Sequence, residues 1–173
     1  LCLYYHLKVR LQKRQPLDVV PARFRPVRTT SGAAQLNIAY MLGTYLRGGF
    51  PEDAAARVAV TSADLKRPEG RNLTSVYGMA YLYHRTAIAS VDRMGSPDGG
   101  RQAFRRCLRR TLKLVAHETG HALSMRHCKR MACNLNGRNS LIEMDRKPLW
   151  LCPHCAAKVC WASGADPVRR FER

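Results

Sequence analysis

The sequence predicts one α/β (α+β) domain, in which a mixed, twisted sheet supports a long helix and a small C-terminal part is built on four cysteines. Three observations lead to this prediction. Runs rich in Val, Ile and Tyr at 75–83 and 86–91 are typical of strands, an amphipathic pattern from about 100 to 123 is typical of a helix, and four cysteines near the C-terminus have metal-ligand spacing. We predict that residues 1–173 form a single domain, because a chain of this length can bury one substantial core.

The elements before these strands are predicted from apolar spacing and from the residues that interrupt it. Leucines spaced by four predict a helix within 1–14, and 17–20 is predicted to be a short strand. A broad apolar side predicts a helix over 31–47, which Gly48 and Gly49 end.

The middle of the chain is predicted to add a strand and a loop to this scaffold. Residues 58–60 are expected to form a buried strand, whereas the proline and glycine within 64–71 predict a polar loop. Gly78 stands inside the strand-like run 75–83. A glycine there predicts either a bulge or a close backbone approach.

The long helix carries the functional motif at its C-terminal end, and its earlier positions predict how it packs. Its apolar residues recur at helical spacing and are expected to face the interior. They are Phe104, Leu108, Leu112 and Val115. The arginines of this helix are expected to lie mostly in water, although such a run could also contact phosphate. They are Arg101, Arg105, Arg106, Arg109 and Arg110.

His117 and His121 stand four residues apart, so a helix places both imidazoles on one face, where they can bind a single metal ion. Glu118 is placed to hold a water on that metal. His127 lies six positions beyond His121 and would face another direction on a continuous helix. The helix is therefore expected to break near Ser124, and a turn there would bring His127 back to the same metal.

Three neutral histidines leave a fourth ligand position for water, which is the pattern of a catalytic zinc. Zinc lowers the pKa of its bound water toward about 7, and a carboxylate such as Glu118 can take the proton as the oxygen attacks a carbonyl carbon. The motif from His117 to His121 has an alternative interpretation when it stands alone, since a surface helix can carry two solvated histidines by chance.

Four cysteines follow the third histidine in the spacing C-x4-C and C-x2-C: Cys128, Cys133, Cys152 and Cys155. Four thiolates at this spacing can form a closed tetrahedral zinc site, which is structural rather than catalytic. The total of seven cysteines is odd and favours metal binding over a full set of disulfides. The three that remain are Cys2, Cys107 and Cys160. Unpaired thiols indicate a reducing compartment, and we expect a cytoplasmic location.

The Cys-Pro-His-Cys segment at 152–155 has a second interpretation, because this pattern also occurs in thiol oxidoreductases. That chemistry needs the motif to open a helix early in a βαβ unit, with further strands to follow. Fewer than twenty residues remain here. The zinc interpretation is therefore favoured, and His154 is expected to lie partly exposed between two ligands.

These motifs together resemble those of the archaemetzincins, metzincin-like zinc peptidases with an HExxHxxGxxHC core and a second, four-cysteine zinc. The resemblance rests on 117–128, Cys133, 145–149 and 151–155. It is close over 117–158 and looser from about residue 17 onward.

The resemblance implies a zincin-like, metzincin-like single domain with two zinc ions per chain. One zinc would be catalytic and held by the three histidines, with Glu118 as general base, and the other would be structural and held by the four cysteines. The scaffold would span 1–116, the catalytic motif 117–127 and the four-cysteine subregion 128–161. A sheet-edge strand would pair with the substrate; 87–90 is predicted to be that strand, and an ordinary edge strand is the alternative.

The chain departs from the family pattern at two positions. Ser124 stands where the family has glycine, which adopts a positive φ without steric cost. We expect the turn to be kept with some strain. Leu135 stands where the family has methionine, and it keeps an apolar side chain without the sulfur. Neither position is a predicted ligand.

We therefore predict a monomeric zinc metallopeptidase that hydrolyses peptide or protein substrates. The net charge of +18 leaves an alternative open: a non-hydrolytic, zinc-stabilised module that binds nucleic acid or an acidic partner through a basic surface. Glu118 favours the enzyme, since such a module has no need of it. A membrane span is not predicted, because no apolar run approaches the roughly 18 residues required.

Overall fold

The computed structural model describes residues 1–27, 34–67 and 76–168. The chain divides into two compact units. The larger unit consists of Gln15–Arg126, and the smaller unit combines Leu1–Arg14 with His127–Arg173.

Five short strands in the described part of the larger unit form two sheets. They are β1 (Gln35–Asn37), β2 (Arg57–Thr61), β3 (Asp64–Lys66), β4 (Gly78–Tyr81) and β5 (Thr86–Ser90). β1 pairs in parallel with β3, and the other three strands form a sheet in the order β2-β5-β4. Within this sheet β5 runs parallel to β2 and antiparallel to β4. The mixed sheet and the helices of the chain together confirm the predicted α/β (α+β) fold class.

β5 lies in the centre of the three-stranded sheet, and all five of its residues are buried. An uninterrupted run of small and apolar residues is typical of a strand that is covered on both faces. The prediction that 87–90 lies at a sheet edge is therefore wrong, because β2 and β4 pair with both sides of this strand. A peptide cannot pair with β5 without displacing one of them.

β2 and β4 also correspond to predicted strands. The run at 75–83 contains β4, although residue 75 lies outside the described ranges, and the strand at 58–60 lies within β2. The predicted burial of 58–60 is wrong, because Val60 is 55% exposed. Among the described residues β2 has a neighbour on one side only, so part of it remains in contact with water.

A short helix and the segment after it supply much of the core of the larger unit. α2 (Ile38–Tyr40) is capped by Asn37, whose side chain accepts a hydrogen bond from the Tyr40 amide at 3.0 Å. The chain continues as a π-helix over Met41–Tyr45. These turns confirm the later part of the helix predicted over 31–47, whereas β1 precedes them and the predicted start lies outside the described residues. The buried core cluster consists of Val20, Leu36, Ile38, Met41, Leu42, Leu46, Ala63, Leu65 and Ile88.

α3 (Gly100–Ala122) has the bounds predicted for the long helix, and it packs on β5, β4 and β2. Its predicted inward face is wrong, since Phe104, Leu108 and Leu112 are 50%, 44% and 48% exposed. The buried residues of this helix lie in its C-terminal half. Apolar spacing identifies a helix, but it does not show how far the neighbouring elements extend along it.

Three other predicted elements are wrong. Residues 17–20 contain a 3₁₀ turn over Leu17–Val19 instead of a strand, in a segment flanked by prolines, which restrict the backbone. β3 replaces the first part of the loop predicted over 64–71, since β1 provides a pairing partner. Within 1–14 only α1 (Cys2–Tyr5) is helical, because the next residue takes a left-handed conformation.

Two helices of the smaller unit begin at residues that favour the start of a helix. α4 (Leu141–Arg146) is capped by Ser140, whose Oγ accepts a hydrogen bond from the Glu143 amide at 3.2 Å. The carboxylate of Glu143 in turn accepts a hydrogen bond from the Asn139 amide at 2.7 Å. These two bonds satisfy donors at the start of the helix. α5 (Pro153–Ser163) begins with a proline and ends at a glycine with a positive φ, as expected for these residue types.

No helix in the described ranges combines the length and the apolar character that crossing a membrane requires. α3 has sufficient length, with 23 residues, but arginines occur along it.

We expect Thr86→Val to lower the free energy of unfolding by about 1–3 kcal/mol. Thr86 is fully buried, and its Oγ1 donates a hydrogen bond to the Leu42 carbonyl at 2.9 Å, which joins β5 to the π-helix. Valine keeps the shape but leaves this carbonyl without its donor. Urea unfolding followed by circular dichroism measures the change. Thr44→Val, at an exposed position of the same π-helix, is the matched control and should change stability by less than about 0.5 kcal/mol. Equal effects of the two substitutions would contradict this prediction.

Candidate metal centre

Three side chains of the predicted motif lie on the last turns of α3. His117 and Glu118 are buried, with 4% and 6% exposure, and His121 is half-buried. The Nε2 atoms of His117 and His121 lie 3.0 Å apart, and their rings meet edge to face with 4.5 Å between centroids. The four-residue spacing therefore brings both imidazoles to one point, as predicted.

Ser124 ends this helix and turns the chain, as the sequence predicted. Its φ is +65°, in the left-handed region. The Ser124 amide donates a hydrogen bond to the His121 carbonyl at 2.9 Å. The Met125 amide donates one to the Gly120 carbonyl at 3.0 Å, which completes a Schellman arrangement. The Ser124 hydroxyl also donates to the Leu82 carbonyl at 3.2 Å, so the serine makes a bond that glycine could not make.

The same turn orients the second histidine. The Met125 carbonyl oxygen lies 2.6 Å from Nδ1 of His121. A carbonyl oxygen only accepts hydrogen bonds, so Nδ1 carries the proton and Nε2 presents its lone pair. That lone pair faces Nε2 of His117. Sequence reasoning missed Met125, because a backbone carbonyl leaves no signal in the residue type.

His127 is kept in a form that can bind a metal. Although the residue is exposed overall, partial desolvation of its ring lowers the pKa of His127 from the usual 6.5, and nearby cations lower this pKa further. These cations are Lys147, Arg138 and Lys129. A lowered pKa favours the neutral imidazole, which is the metal-binding form. Gly137 lies against this ring, since a Cβ at that position would come within 3.3 Å of Nδ1.

His127, the first residue of the smaller unit, is the third predicted ligand and offers a ring nitrogen to a metal as His117 and His121 do. Two zinc–nitrogen bonds at a tetrahedral angle place their nitrogens about 3.3 Å apart. The 3.0 Å between the Nε2 atoms of His117 and His121 is close to this value. Three neutral imidazoles are also a donor set that suits zinc. The residues present therefore fit this metal.

The four predicted cysteines of the smaller unit also come together. Their sulfurs lie within 4.8 Å of one another, and all four residues are buried. The sulfurs of Cys128 and Cys152 are 3.8 Å apart. Two zinc–sulfur bonds at a tetrahedral angle give a separation of about 3.8 Å. All seven cysteines are free in the structure, so the group fits a closed site with four thiolate ligands.

Backbone groups hold this cluster together. The Cys133 sulfur accepts hydrogen bonds from the Leu135 amide at 3.5 Å and from the Cys152 amide at 3.3 Å. The Leu135 carbonyl accepts one from the Cys128 amide at 2.9 Å. Leu135, which replaces the methionine of the family pattern, is fully buried. It therefore connects two ligands through its backbone while its side chain packs in the interior.

Asn136 is a further residue that sequence reasoning missed. Its side-chain oxygen accepts a hydrogen bond from the Cys133 amide at 2.9 Å. Its side-chain nitrogen donates to the carbonyls of Cys128 at 2.8 Å and Met131 at 3.0 Å. These bonds close the loop between the first two cysteines. An asparagine three residues after the second cysteine was the available signal, because its side chain commonly bonds to nearby backbone.

The pKa values of the cysteine thiols bear on whether this cluster suits a cation. Burial raises the pKa of Cys133 and of Cys155, and neighbouring thiols add to the increase for Cys155. Burial also raises the pKa of Cys128, but backbone hydrogen bonds at Arg130 and Met131 and hydrogen bonds with the thiols of Cys152 and Cys155 together outweigh it, and the result is a pKa of about 7. A divalent cation offsets the repulsion among four thiolates and allows all of them to ionise.

The model of peptidase family M54 matches residues 73–160, which is just over half of the chain and includes the helical motif and all four cysteines. The chain belongs to this family, the archaemetzincins. Archaemetzincin-2 of Homo sapiens is 31% identical to it over an alignment of 195 residues. The alignment covers 98% of this chain and 53% of the relative. The chain thus spans about half the length of the curated archaemetzincins-2 that it matches.

Two solved archaemetzincins share the fold. The crystal structure from Methanopyrus kandleri has a TM-score of 0.63 and 27% identity, and the match covers 89% of this chain and 73% of that one. The structure from Archaeoglobus fulgidus, complexed with malonate, has a TM-score of 0.56 and 28% identity over 83% of this chain and 75% of that one. These likenesses confirm the archaemetzincin fold that the motif resemblance implied.

We expect Ser124→Ala to be less stable than both the wild type and Ser124→Gly. Alanine keeps the cost of the left-handed conformation and loses the hydroxyl bond to Leu82, which is worth up to about 1 kcal/mol. Glycine loses the same bond but is relieved of a strain of about 1 kcal/mol. Urea unfolding of the three proteins measures this order. If the alanine variant is as stable as the wild type, the hydroxyl bond does not stabilise the turn.

Proposed function

We propose that this archaemetzincin chain is a zinc metallopeptidase in which Glu118 is the general base and three histidines hold one zinc ion. The histidines are His117, His121 and His127. The observation that carries this proposal is the 3.0 Å separation between the Nε2 atoms of His117 and His121. The same helix carries the buried carboxylate of Glu118. Membership of a peptidase family supports it.

The chain's own residues would perform the proton transfers. When bound, zinc polarises the scissile carbonyl and lowers the pKa of a coordinated water toward about 7. Glu118 accepts a proton from the attacking water and passes it to the leaving nitrogen. The hydrogen bond from Nδ1 of His121 to the Met125 carbonyl orients the ring and keeps Nε2 available throughout.

We propose that the peptide substrate pairs with β4. Among the described residues this strand has β5 on one side and no strand on the other. Its first residue, Gly78, lies directly against the side chain of Glu118. An added strand forms backbone hydrogen bonds that hold an extended peptide without selecting its side chains. Such pairing would bring the peptide backbone close to the general base.

A second, structural zinc is proposed at the four cysteines: Cys128, Cys133, Cys152 and Cys155. Its support is the closed, buried group of sulfurs described above. Cys128 is covalently bonded to His127. A rigid site at Cys128 therefore limits the motion of the third histidine, in addition to contributing to the folding of the smaller unit.

Composition and free thiols support further proposals about location, oligomeric state and partners. A reducing, cytoplasmic location agrees with the free thiols, and a monomeric state remains a prediction from the sequence. The net charge of +18 is compatible with an acidic substrate or partner. The alternative function, a binding module without hydrolysis, is not favoured, because the matched family consists of peptidases.

Metal analysis of the purified protein should find two zinc ions per chain. The double substitution His117→Ala/His121→Ala should lower this number to one, because it removes two of the three nitrogen ligands, and Cys152→Ser should remove the other zinc. His154→Ala is the matched control and should keep both ions, since this exposed residue lies between two ligands but outside both groups. One zinc per chain in both the wild type and the histidine variant would contradict the proposal of a catalytic zinc.

Glu118→Gln should keep both zinc ions and lower kcat by at least about 100-fold, since glutamine cannot accept the proton. Cleavage of a mixed peptide library, followed by mass spectrometry, measures the loss. Glu52→Gln, at an exposed position, is the matched control and should cleave at the wild-type rate. Full turnover by the metal-loaded Glu118 variant would show that another group is the base.

A further inference from the structure

Gly78 is the residue of β4 that lies closest to the proposed general base. A Cβ built on Gly78 would lie 2.8 Å from Cγ of Glu118, 3.0 Å from Cδ and 3.0 Å from Oε1. Real Cβ atoms essentially never show a contact of 2.8 Å, and one of 3.0 Å is tighter than nine in ten Cβ contacts. The three nearest atoms all belong to one side chain, so Glu118 occupies the volume that any side chain at position 78 would need.

The reason for glycine here is space rather than backbone freedom. Gly78 is not among the residues with a positive φ, whereas Gly95 and Gly100 are. Its backbone is an ordinary part of the antiparallel pair, in register with the fully buried Ala89 of β5. Any other L-residue could adopt this conformation. The first atoms that such a residue's Cβ would meet belong to the carboxylate-bearing side chain on the facing helix.

The elements on both sides of this contact are held in place. The Ser90 amide donates a hydrogen bond to the Tyr77 carbonyl at 2.8 Å, next to Gly78. α3 packs on both β4 and β5, so the backbone of Glu118 is also fixed relative to the sheet. A side chain added at position 78 cannot move either backbone at low cost. The group that gives way is the flexible side chain of Glu118.

We propose that Gly78 is a positioning residue for Glu118: the absence of a side chain at position 78 holds open the volume in which the carboxylate lies. The contact between Gly78 and Glu118 rests on the geometry alone, whereas its effect on catalysis rests on the proposed function. Gly78 does not itself touch the reacting atoms in this proposal. It acts by allowing a side-chain conformation of Glu118 that a larger residue would exclude.

Gly78→Ala should lower kcat by about 10- to 100-fold, the effect expected when a reacting group moves by about 1 Å. KM should change little, because the backbone of β4 is kept, and the zinc content should stay at the wild-type value. Peptide hydrolysis and metal analysis of the same preparations measure these quantities. A kcat equal to that of the wild type would overturn the proposal.

A stability comparison tests the contact independently of any activity. Gly78→Ala should lower the thermal unfolding midpoint in the wild-type background, because it displaces a buried carboxylate. In the Glu118→Ala background the same substitution should raise the midpoint, since all three crowded atoms are gone and alanine suits a strand better than glycine does. Equal shifts in both backgrounds would show that Gly78 does not act through Glu118, even if kcat falls.

Gly43→Ala is the matched control. A Cβ at Gly43 would meet only a ring carbon of Tyr81, at 3.9 Å, which is an ordinary contact. This variant should keep the wild-type kcat and show the same midpoint shift in both backgrounds. If the wild-type protein hydrolyses no peptide, the proposed function fails, while the opposite midpoint shifts still decide whether Gly78 positions Glu118.

Discussion

The turn at the end of α3 is the constraint on which the candidate catalytic site depends. A helix that continued past His121 would carry the following residues away from the two facing imidazoles, whereas the hydrogen bonds around Ser124 stop it at once. The same turn brings the Met125 carbonyl to Nδ1 of His121 and so decides which ring nitrogen is available to a metal. One strained serine conformation therefore controls both the path of the chain and the tautomer of a ligand.

The cysteine cluster is an electrostatic constraint on the smaller unit. Hydrogen bonds from the Leu135 and Cys152 amides hold the Cys133 sulfur in place, and the Asn136 side chain closes the loop beside it. Burial nevertheless raises the pKa of Cys133 and Cys155, so the protein environment alone does not favour four thiolates. A divalent cation resolves this conflict, and for that reason metal binding and the folding of this region are expected to be coupled.

Elements with local signals were predicted well, and elements that need a distant partner were not. The apolar pattern from about 100 to 123 placed α3 correctly, and a proline and a serine mark the starts of α5 and α4. β3 was predicted to be a loop, because its pairing with β1 involves residues almost 30 positions away that no local pattern shows. The exposed stripe at Phe104 is a similar case, since an amphipathic pattern does not reveal whether a neighbour covers it.

The sequence by itself determined the two groups of potential ligands, because covalent spacing on a helix and within short loops limits where the side chains can lie. At Gly78 the sequence left a bulge and a close backbone approach open, and it did not identify the group that lies against this residue. The tertiary structure decided that this group is the carboxylate of Glu118, and that β5 lies inside the sheet while β4 lies at its edge. Both outcomes depend on how α3 and three strands pack together, and packing joins residues that are far apart in the chain.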